Sequence, residues 1–161
     1  MKFICDDNLG KLARYLRILG LDTLFVVPIS DSDLLAAAAS QGRFLLTRDS
    51  NILEKSHPFG VLLLTEDDPL MQLSTVFHVL KLQVAAEDLF TRCSRCNDVC
   101  RRVTKEEVTD RAFPFILKTQ DIISECPSCR RLYWRGSHYR RLLADLKSAI
   151  PDNSVMGSWP E

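Results

Sequence analysis

The chain has 161 residues, no formal net charge and 46% hydrophobic residues. This is enough for one ordinary domain, or for a domain of about 90 residues with a small accessory unit. No apolar stretch approaches the ~20 residues of a membrane-spanning helix, and acids lie where a secretory signal needs its apolar segment. We therefore expect a cytoplasmic protein without a membrane partner.

Short apolar runs alternate with helical periodicity through the first half of the chain. Strands are predicted at 2–5, 23–27, 43–47 and 61–64. Helices are predicted at about 9–19, 30–41 and 68–82. The alternation indicates an α/β fold, a parallel sheet with helices on both faces, whose functional edge lies at the carboxyl ends of the strands.

Composition changes near Thr91, where cysteines and arginines become frequent. We predict a domain at 1–90, a cysteine-rich unit with a C-terminal helix at 91–150, and a flexible tail at 151–161. Lys/Arg and Asp/Glu number 8 and 12 in residues 1–90, and 13 and 9 in residues 91–161, so the parts carry −4 and +4. Such an asymmetry suits a cation site beside an anion-binding surface, although mild asymmetry is common.

Three aspartates fall at the predicted functional edge of the sheet. Asp6 follows the first strand, Asp31 begins the second helix and Asp49 follows the third strand. Confined carboxylates repel one another unless a cation offsets their charge, and Mg²⁺ or Mn²⁺ favours such oxygens. Simpler roles stay open: Asp31 as a helix-start residue and Asp49 as the N-cap of the following turn.

Basic residues accompany these acids. Lys11, Arg14 and Arg17 recur at intervals of three along the first helix, and Arg48 precedes Asp49 directly. They are candidate phosphate-binding residues beside a metal. The alternative is a solvated helix face.

Four cysteines have the spacing of a zinc site. Cys93 and Cys96 form one CxxC pair, Cys126 and Cys129 form a second, and 29 residues separate the two pairs. Two such turns supply four thiolates to a tetrahedral, structural Zn²⁺. Cys100 is expected to be a small buried residue, or else a competing ligand. The remaining cysteine belongs to the first strand.

Arginines and aromatic residues surround the second CxxC pair. Arg130 and Arg131 precede Tyr133 and Trp134, a combination that suits single-stranded RNA because arginines pair with phosphates and aromatic rings stack on bases. Alternatively, the aromatic residues pack the cysteine-rich unit onto the first domain. His138 begins the last helix as a structural residue or a substrate contact.

Several of these motifs occur together in one family. The segments "CDDNLGKLARYLRILGLDT" and "SDLLAAAASQGRFLLTRD", the CxxC pairs and "RRLYWRGSHYRR" resemble a PIN-like RNase domain with an appended zinc ribbon. This domain type forms the C-terminal part of Mut-seven-type exonucleases, and the resemblance covers about residues 2–145. It implies a PIN-like fold and a metal-dependent nuclease acting on RNA, whose acid motif matches Asp6, Asp31 and Asp49.

The resemblance has one departure, at Asn51. Related sequences often carry a further aspartate there, and an amide contributes no negative charge to a metal site. We expect hydrolysis of RNA to a 5′-phosphate and a 3′-hydroxyl. The alternatives are a non-catalytic RNA- or ribosome-binding module with residual acids, and a toxin-like protein held inhibited by an unknown protein partner.

Overall fold

The first half of the chain forms a parallel sheet of four strands. The computed structural model describes residues 1–55 and 60–160. The strands are β1 (Phe3–Cys5), β2 (Thr23–Phe25), β3 (Phe44–Thr47) and β4 (Val61–Leu63). Their spatial order is β2-β1-β3-β4, and all neighbours run parallel. Because β1 and β3 are central neighbours, the residues that follow them emerge side by side at one edge.

Helices cover both faces of this sheet, as predicted. These helices are α1 (Gly10–Ile18), α2 (Asp31–Gln41), α3 (Pro69–Leu80) and α5 (Ser137–Ala149), whereas α4 (Pro114–Thr119) packs in the cysteine-rich unit. Phe3 and Cys5 contribute to the core shared with α1 and α3, whereas Ile4 contributes to the core under α2. Side chains of successive strand residues point to opposite faces, so this short strand is buried on both sides.

Capping residues set the bounds of α2. The Ser30 hydroxyl accepts a hydrogen bond from the Asp33 N–H, and Gly42 ends the helix in the left-handed region at φ 61°. The hydroxyl satisfies a helix-start donor, and glycine takes the left-handed turn with little strain. α2 therefore begins at the carboxyl edge of the sheet, where it carries Asp31.

The cysteine-rich unit is a small antiparallel sheet with its own core. Its strands are β6 (Arg101–Val103), β7 (Ile123–Glu125) and β8 (Leu132–Trp134). Val108, Ala112, Ile116 and Ile123 form its core. A zinc ribbon-like unit thus follows the parallel sheet.

The C-terminal segment packs on the first core. Leu146 and Ile150, at the end of α5, are buried in the core of the parallel sheet. Beyond them, β9 (Val155–Met156) pairs in parallel with β5 (Val84–Ala85). The segment predicted as a flexible tail, 151–161, thus contains a short strand at 155–156, where Val155 is buried.

A buried arginine joins the ribbon to the first domain. Arg17 is only 5% exposed. Its Nε donates to the Thr23 carbonyl at 2.8 Å, and its Nη1 donates to the carbonyls of Ser94 and Arg95 at 3.3 and 2.8 Å. Burial lowers the pKa of Arg17. The phosphate role considered for Arg17 is therefore wrong, because its guanidinium is already committed to main-chain oxygens.

No described helix combines the length and apolar character needed to span a bilayer.

Candidate functional site

Thr47 links two of the three predicted acids, Asp6 and Asp49. Its hydroxyl donates to Asp6 Oδ2 at 2.8 Å and accepts from the main-chain N–H of Asp49 at 2.9 Å. Asp6 is 9% exposed and Thr47 is fully buried. The structure therefore brings Asp6 and Asp49 to one edge, with the Asp6 carboxylate held in a fixed orientation. Sequence reasoning missed Thr47, whose only signal was its position at the end of the third strand.

Asp49 also caps the turn that follows it. Its Oδ1 accepts from the main-chain N–H of Asn51 at 2.9 Å and from Asn51 Nδ2 at 2.8 Å. Asp49 therefore has the capping role that the sequence left open. The Asn51 side chain donates to Asp49, which accounts for an amide at this position.

Asp31 reaches the same edge from the first residue of α2. Its Oδ2 lies 2.9 Å from Nζ of Lys55, which follows the turn that Asp49 begins. Lys55 was not identified from the sequence. This ion pair neutralises Asp31 and connects it to the segment after β3.

The three aspartates do not converge on one point. Within residues 1–55 and 60–160, a single group of three or more His, Cys, Asp or Glu ligand atoms lies within 4.8 Å of one another, and it consists of cysteines. The acids nevertheless fit a hydrated cation, because Mg²⁺ keeps several waters and binds only one or two carboxylates directly. An ionised carboxylate has about four acceptor positions. Asp6 uses two of them, for hydrogen bonds from the Asp7 N–H and from the Thr47 hydroxyl.

The candidate phosphate-binding residues are exposed near this edge. Lys11 lies in the first turn of α1 and is exposed. Arg14 is exposed, with Nη2 3.2 Å from Nε2 of His138. Arg48 pairs with the carboxylate of Asp67 beyond β4. Two of the three cations therefore already have a protein partner.

Glu66 is a further acid that sequence reasoning missed. It follows β4, the neighbour of β3, and its carboxylate accepts a hydrogen bond from Thr75. That hydrogen bond lowers the pKa of Glu66, and the charge of Arg48 lowers it further. The edge thus carries a carboxylate held ionised beside an arginine.

The four predicted cysteines form the second centre. Sγ atoms of Cys93 and Cys129 are 3.7 Å apart, and all four Sγ atoms lie within 4.8 Å. Tetrahedral Zn²⁺ with Zn–S bonds of about 2.3 Å requires S–S separations of about 3.8 Å. The donor set therefore fits a structural Zn²⁺. Cys100 lies outside this group.

The two aromatic residues of β8 have separate environments. The Tyr133 hydroxyl lies 3.1 Å from Sγ of Cys93 and accepts from the Ser94 N–H at 3.2 Å. Tyr133 therefore supports the cysteine centre. Trp134 is 37% exposed and borders a groove within the ribbon. This groove is lined by residues of the ribbon. Packing of Trp134 onto the first domain stays a prediction.

Comparison with known proteins gives one match. Neither curated proteins nor solved structures show a significant match. The sequence profile of a family described as the Mut7-C RNAse domain matches residues 1–146. This agrees with the motifs that carry the resemblance, and it indicates a nuclease or RNA-related role. The match extends from β1 into α5, and the chain therefore belongs to the Mut7-C RNAse domain family.

Proposed function

We propose that the protein is a metal-dependent ribonuclease that hydrolyses RNA phosphodiester bonds, with Mg²⁺ or Mn²⁺ at Asp6, Asp31 and Asp49. The observation that carries this proposal is the Asp6–Thr47–Asp49 linkage at the carboxyl edge of a parallel sheet. Open α/β sheets bind ligands at this edge. Membership of an RNase domain family supports RNA as the substrate class.

In the proposed mechanism, this chain supplies orientation and charge. A bound Mg²⁺ or Mn²⁺ would supply an activated water and offset charge on the phosphate. Asp6 presents its carboxylate in one orientation because Thr47 and the Asp7 N–H fix both oxygens. Pre-set ligands of this kind need little reorganisation when the reaction occurs.

The basic residues would hold the scissile phosphate. Lys11 is exposed in the first turn of α1, next to the chain segment that carries Asp6. Arg14 and Arg48 would exchange His138 and Asp67 for phosphate oxygens. Breaking such exposed contacts costs little free energy, because surface ion pairs contribute only about 0–1 kcal/mol. The same reasoning applies to Lys55, which releases Asp31 when a cation binds.

Zinc in the ribbon would have a structural role. Four thiolates complete a tetrahedral Zn²⁺, which leaves no open position for a reactive water. The ribbon instead carries two exposed arginines, Arg130 and Arg131, and Arg17 joins the ribbon to the first domain. We assign Arg130 and Arg131 to RNA binding, which assists catalysis at the aspartates.

Features of the acidic edge favour a second function. Lys55 pairs with Asp31, and the three aspartates do not converge in the described structure. These features, with Asn51 in place of a further acid, suit a non-catalytic RNA- or ribosome-binding module. Binding without cleavage is the property that distinguishes it.

The decisive experiment compares Asp6→Asn with Asp7→Asn. Asp7 is an exposed neighbour that contacts Asp6 only through its main chain. Single-stranded RNA is incubated with Mn²⁺ and each protein, and products are tested for 5′-phosphates. We expect cleavage by the wild type and Asp7→Asn, and none by Asp6→Asn with binding retained. Equal cleavage by Asp6→Asn refutes the site, and binding without any cleavage supports the non-catalytic module.

A further inference from the structure

A groove in the ribbon lies between α4 and β8. Its volume is about 360 Å³, within the range of about 300–1,000 Å³ found for small-molecule sites. Aromatic and cationic side chains line it, among them Phe113, Trp134, Arg111, Arg130 and Arg131. The groove is separate from the cysteine centre and from the aspartates, and neither site accounts for it.

A buried glutamate fixes two of these arginines. Glu125 is 0% exposed, and its Oε1 lies 2.9 Å from both Arg111 Nη1 and Arg130 Nε. Its other oxygen lies 2.9 Å from Nη2 of Arg101. One carboxylate therefore contacts three guanidinium groups, of which Arg101 also pairs with Glu107 and Arg111 also lies 3.7 Å from Asp110. These contacts hold Arg111 and Arg130 at the edge of the groove.

Arg130 and Arg131 retain free hydrogen-bond donors. Arg130 pairs through Nε, so neither of its Nη groups has a hydrogen-bond partner among the described residues, and the side chain is 60% exposed. The Arg131 side chain likewise has no polar partner within the described chain. Guanidinium donors of this kind match phosphate oxygens in geometry as well as in charge.

The two aromatic residues of the groove are exposed, and Trp134 is also held in place. Trp134 is 37% exposed and Phe113 is 73% exposed. A Cβ on Gly136 would lie 2.9 Å from Nε1 of Trp134, so the absence of a side chain there lets the indole ring rest against the main chain. An aromatic surface that is already positioned loses little conformational freedom when a flat ligand stacks on it.

We propose that this groove binds an unpaired nucleotide of single-stranded RNA, with its base against Trp134 or Phe113 and its phosphate on Arg130 and Arg131. The inference rests on the proposed function and extends it to a recognition site in the ribbon. Aromatic surfaces and guanidinium donors together match a base and its phosphate. Bases within an RNA duplex are already stacked and cannot enter, and an acidic peptide offers no flat ring to stack.

Tryptophan fluorescence tests the base contact directly. The chain has two tryptophans, and the other, Trp159, lies beside Lys147 near the C-terminus. We expect a 12-nucleotide oligouridylate to quench the emission of the wild type and of Trp159→Phe, but not that of Trp134→Phe. A duplex of equal length should quench weakly. Trp134→Ala should weaken binding of the single strand on the order of 10-fold.

Salt dependence tests the phosphate contact. Arg131→Gln should reduce the slope of log affinity against log salt by about 0.7, the value for one phosphate on a single strand. Arg102→Gln is the matched control, because Arg102 is an exposed arginine of the same ribbon that does not line the groove. Unchanged affinity and slope in Arg131→Gln overturn the phosphate assignment.

The outcomes separate this inference from the proposed function. The binding measurements are repeated with Asp6→Asn added to each protein, so that RNA cleavage does not interfere and the ribbon is unchanged. Manganese-dependent cleavage by wild-type protein, with normal binding by Trp134→Ala, overturns the groove and leaves the nuclease intact. Quenching dependent on Trp134 without any cleavage supports the groove and refutes the nuclease. Stronger quenching by an oligoglutamate peptide overturns the RNA assignment in favour of a protein partner.

Discussion

The Thr47 hydroxyl donates a hydrogen bond of 2.8 Å to the carboxylate of Asp6, and both residues lie at the ends of adjacent strands. The same hydroxyl accepts from the Asp49 N–H. One buried side chain thus positions two of the acids on which the proposed chemistry depends. This relationship makes Thr47 a positioning residue.

Replacing Thr47 tests that role. Thr47→Val keeps the shape but removes the hydrogen bonds to Asp6 and Asp49, so we expect a loss of about 1–2 kcal/mol in unfolding free energy. The Mn²⁺ concentration needed for half-maximal cleavage should rise. Thr47→Ser, which retains the hydroxyl, is the control and should behave as the wild type. Equal Mn²⁺ dependence in Thr47→Val and wild type contradicts the role.

Two substitutions separate the capping role of Asp49 from metal binding. Asp49→Asn retains an oxygen that can accept from Asn51, whereas Asp49→Ala removes it and should cost about 1 kcal/mol. If Asp49 binds the metal, both variants lose cleavage and only Asp49→Ala loses stability. Activity is measured on RNA with Mn²⁺, and stability by urea unfolding. Full activity in Asp49→Asn would falsify the metal role.

Elemental analysis tests the cysteine centre. We expect about one zinc per chain in the wild type and in Cys100→Ser, but loss of zinc in Cys126→Ser. Ligation requires thiolates, so zinc release should increase as the pH falls. Zinc retained at full occupancy by Cys126→Ser, or lost from Cys100→Ser, means that the ligand set is wrong.

Two arginines on α1 allow a buried side chain to be compared with an exposed one. Arg17→Met leaves the buried carbonyl of Thr23 and the partly buried carbonyls of Ser94 and Arg95 without their donor, and we expect a loss of at least about 2 kcal/mol. Arg14→Met, on the exposed face of the same helix, should change stability by less than about 0.5 kcal/mol. Urea unfolding followed by circular dichroism measures both. Equal effects would mean that Arg17 does not join the two units.

Asp22 should contribute to acid sensitivity. Burial acts to raise its pKa, but hydrogen bonds from Arg43 and Asn97 outweigh it, so the pKa lies below its ordinary value of 3.8. Such a carboxyl stabilises the fold above pH 3.8, and the contribution is lost as the pH falls through the lowered pKa. Asp22→Asn should therefore be less stable at pH 7 and lose less stability on acidification.

Urea unfolding between pH 7 and pH 2 measures this difference. Asp121→Asn is the control, since the Asp121 side chain is 99% exposed and its pair with Lys105 spans 3.8 Å. An exposed pair contributes little, so this variant should follow the wild-type profile. Parallel profiles for Asp22→Asn and wild type would show that Asp22 does not titrate in this way.

Several local features followed directly from the sequence. The alternation of strands with helices and the helix predicted at about 30–41 depend on neighbouring residues, which the chain order displays. The two CxxC pairs were also evident from the sequence, because each short turn brings its own two cysteines together. The acids at Asp6 and Asp49 followed from the rule that parallel strands share a carboxyl edge.

The tertiary structure decided the partners of those residues. Thr47 meets Asp6 across 41 positions of sequence, and Arg17 meets Ser94 across 77. Neither contact leaves a periodic or compositional signal, so the sequence suggested a phosphate role or a solvated helix face for Arg17 rather than burial. The pairing of β9 with β5 likewise depends on burial of Val155 against the packed sheet. The sequence alone determined which groups lie at the edges and turns, because those depend on local backbone preferences. Only the fold decided which groups are buried, paired or exposed, because desolvation depends on atoms brought together from distant parts of the chain.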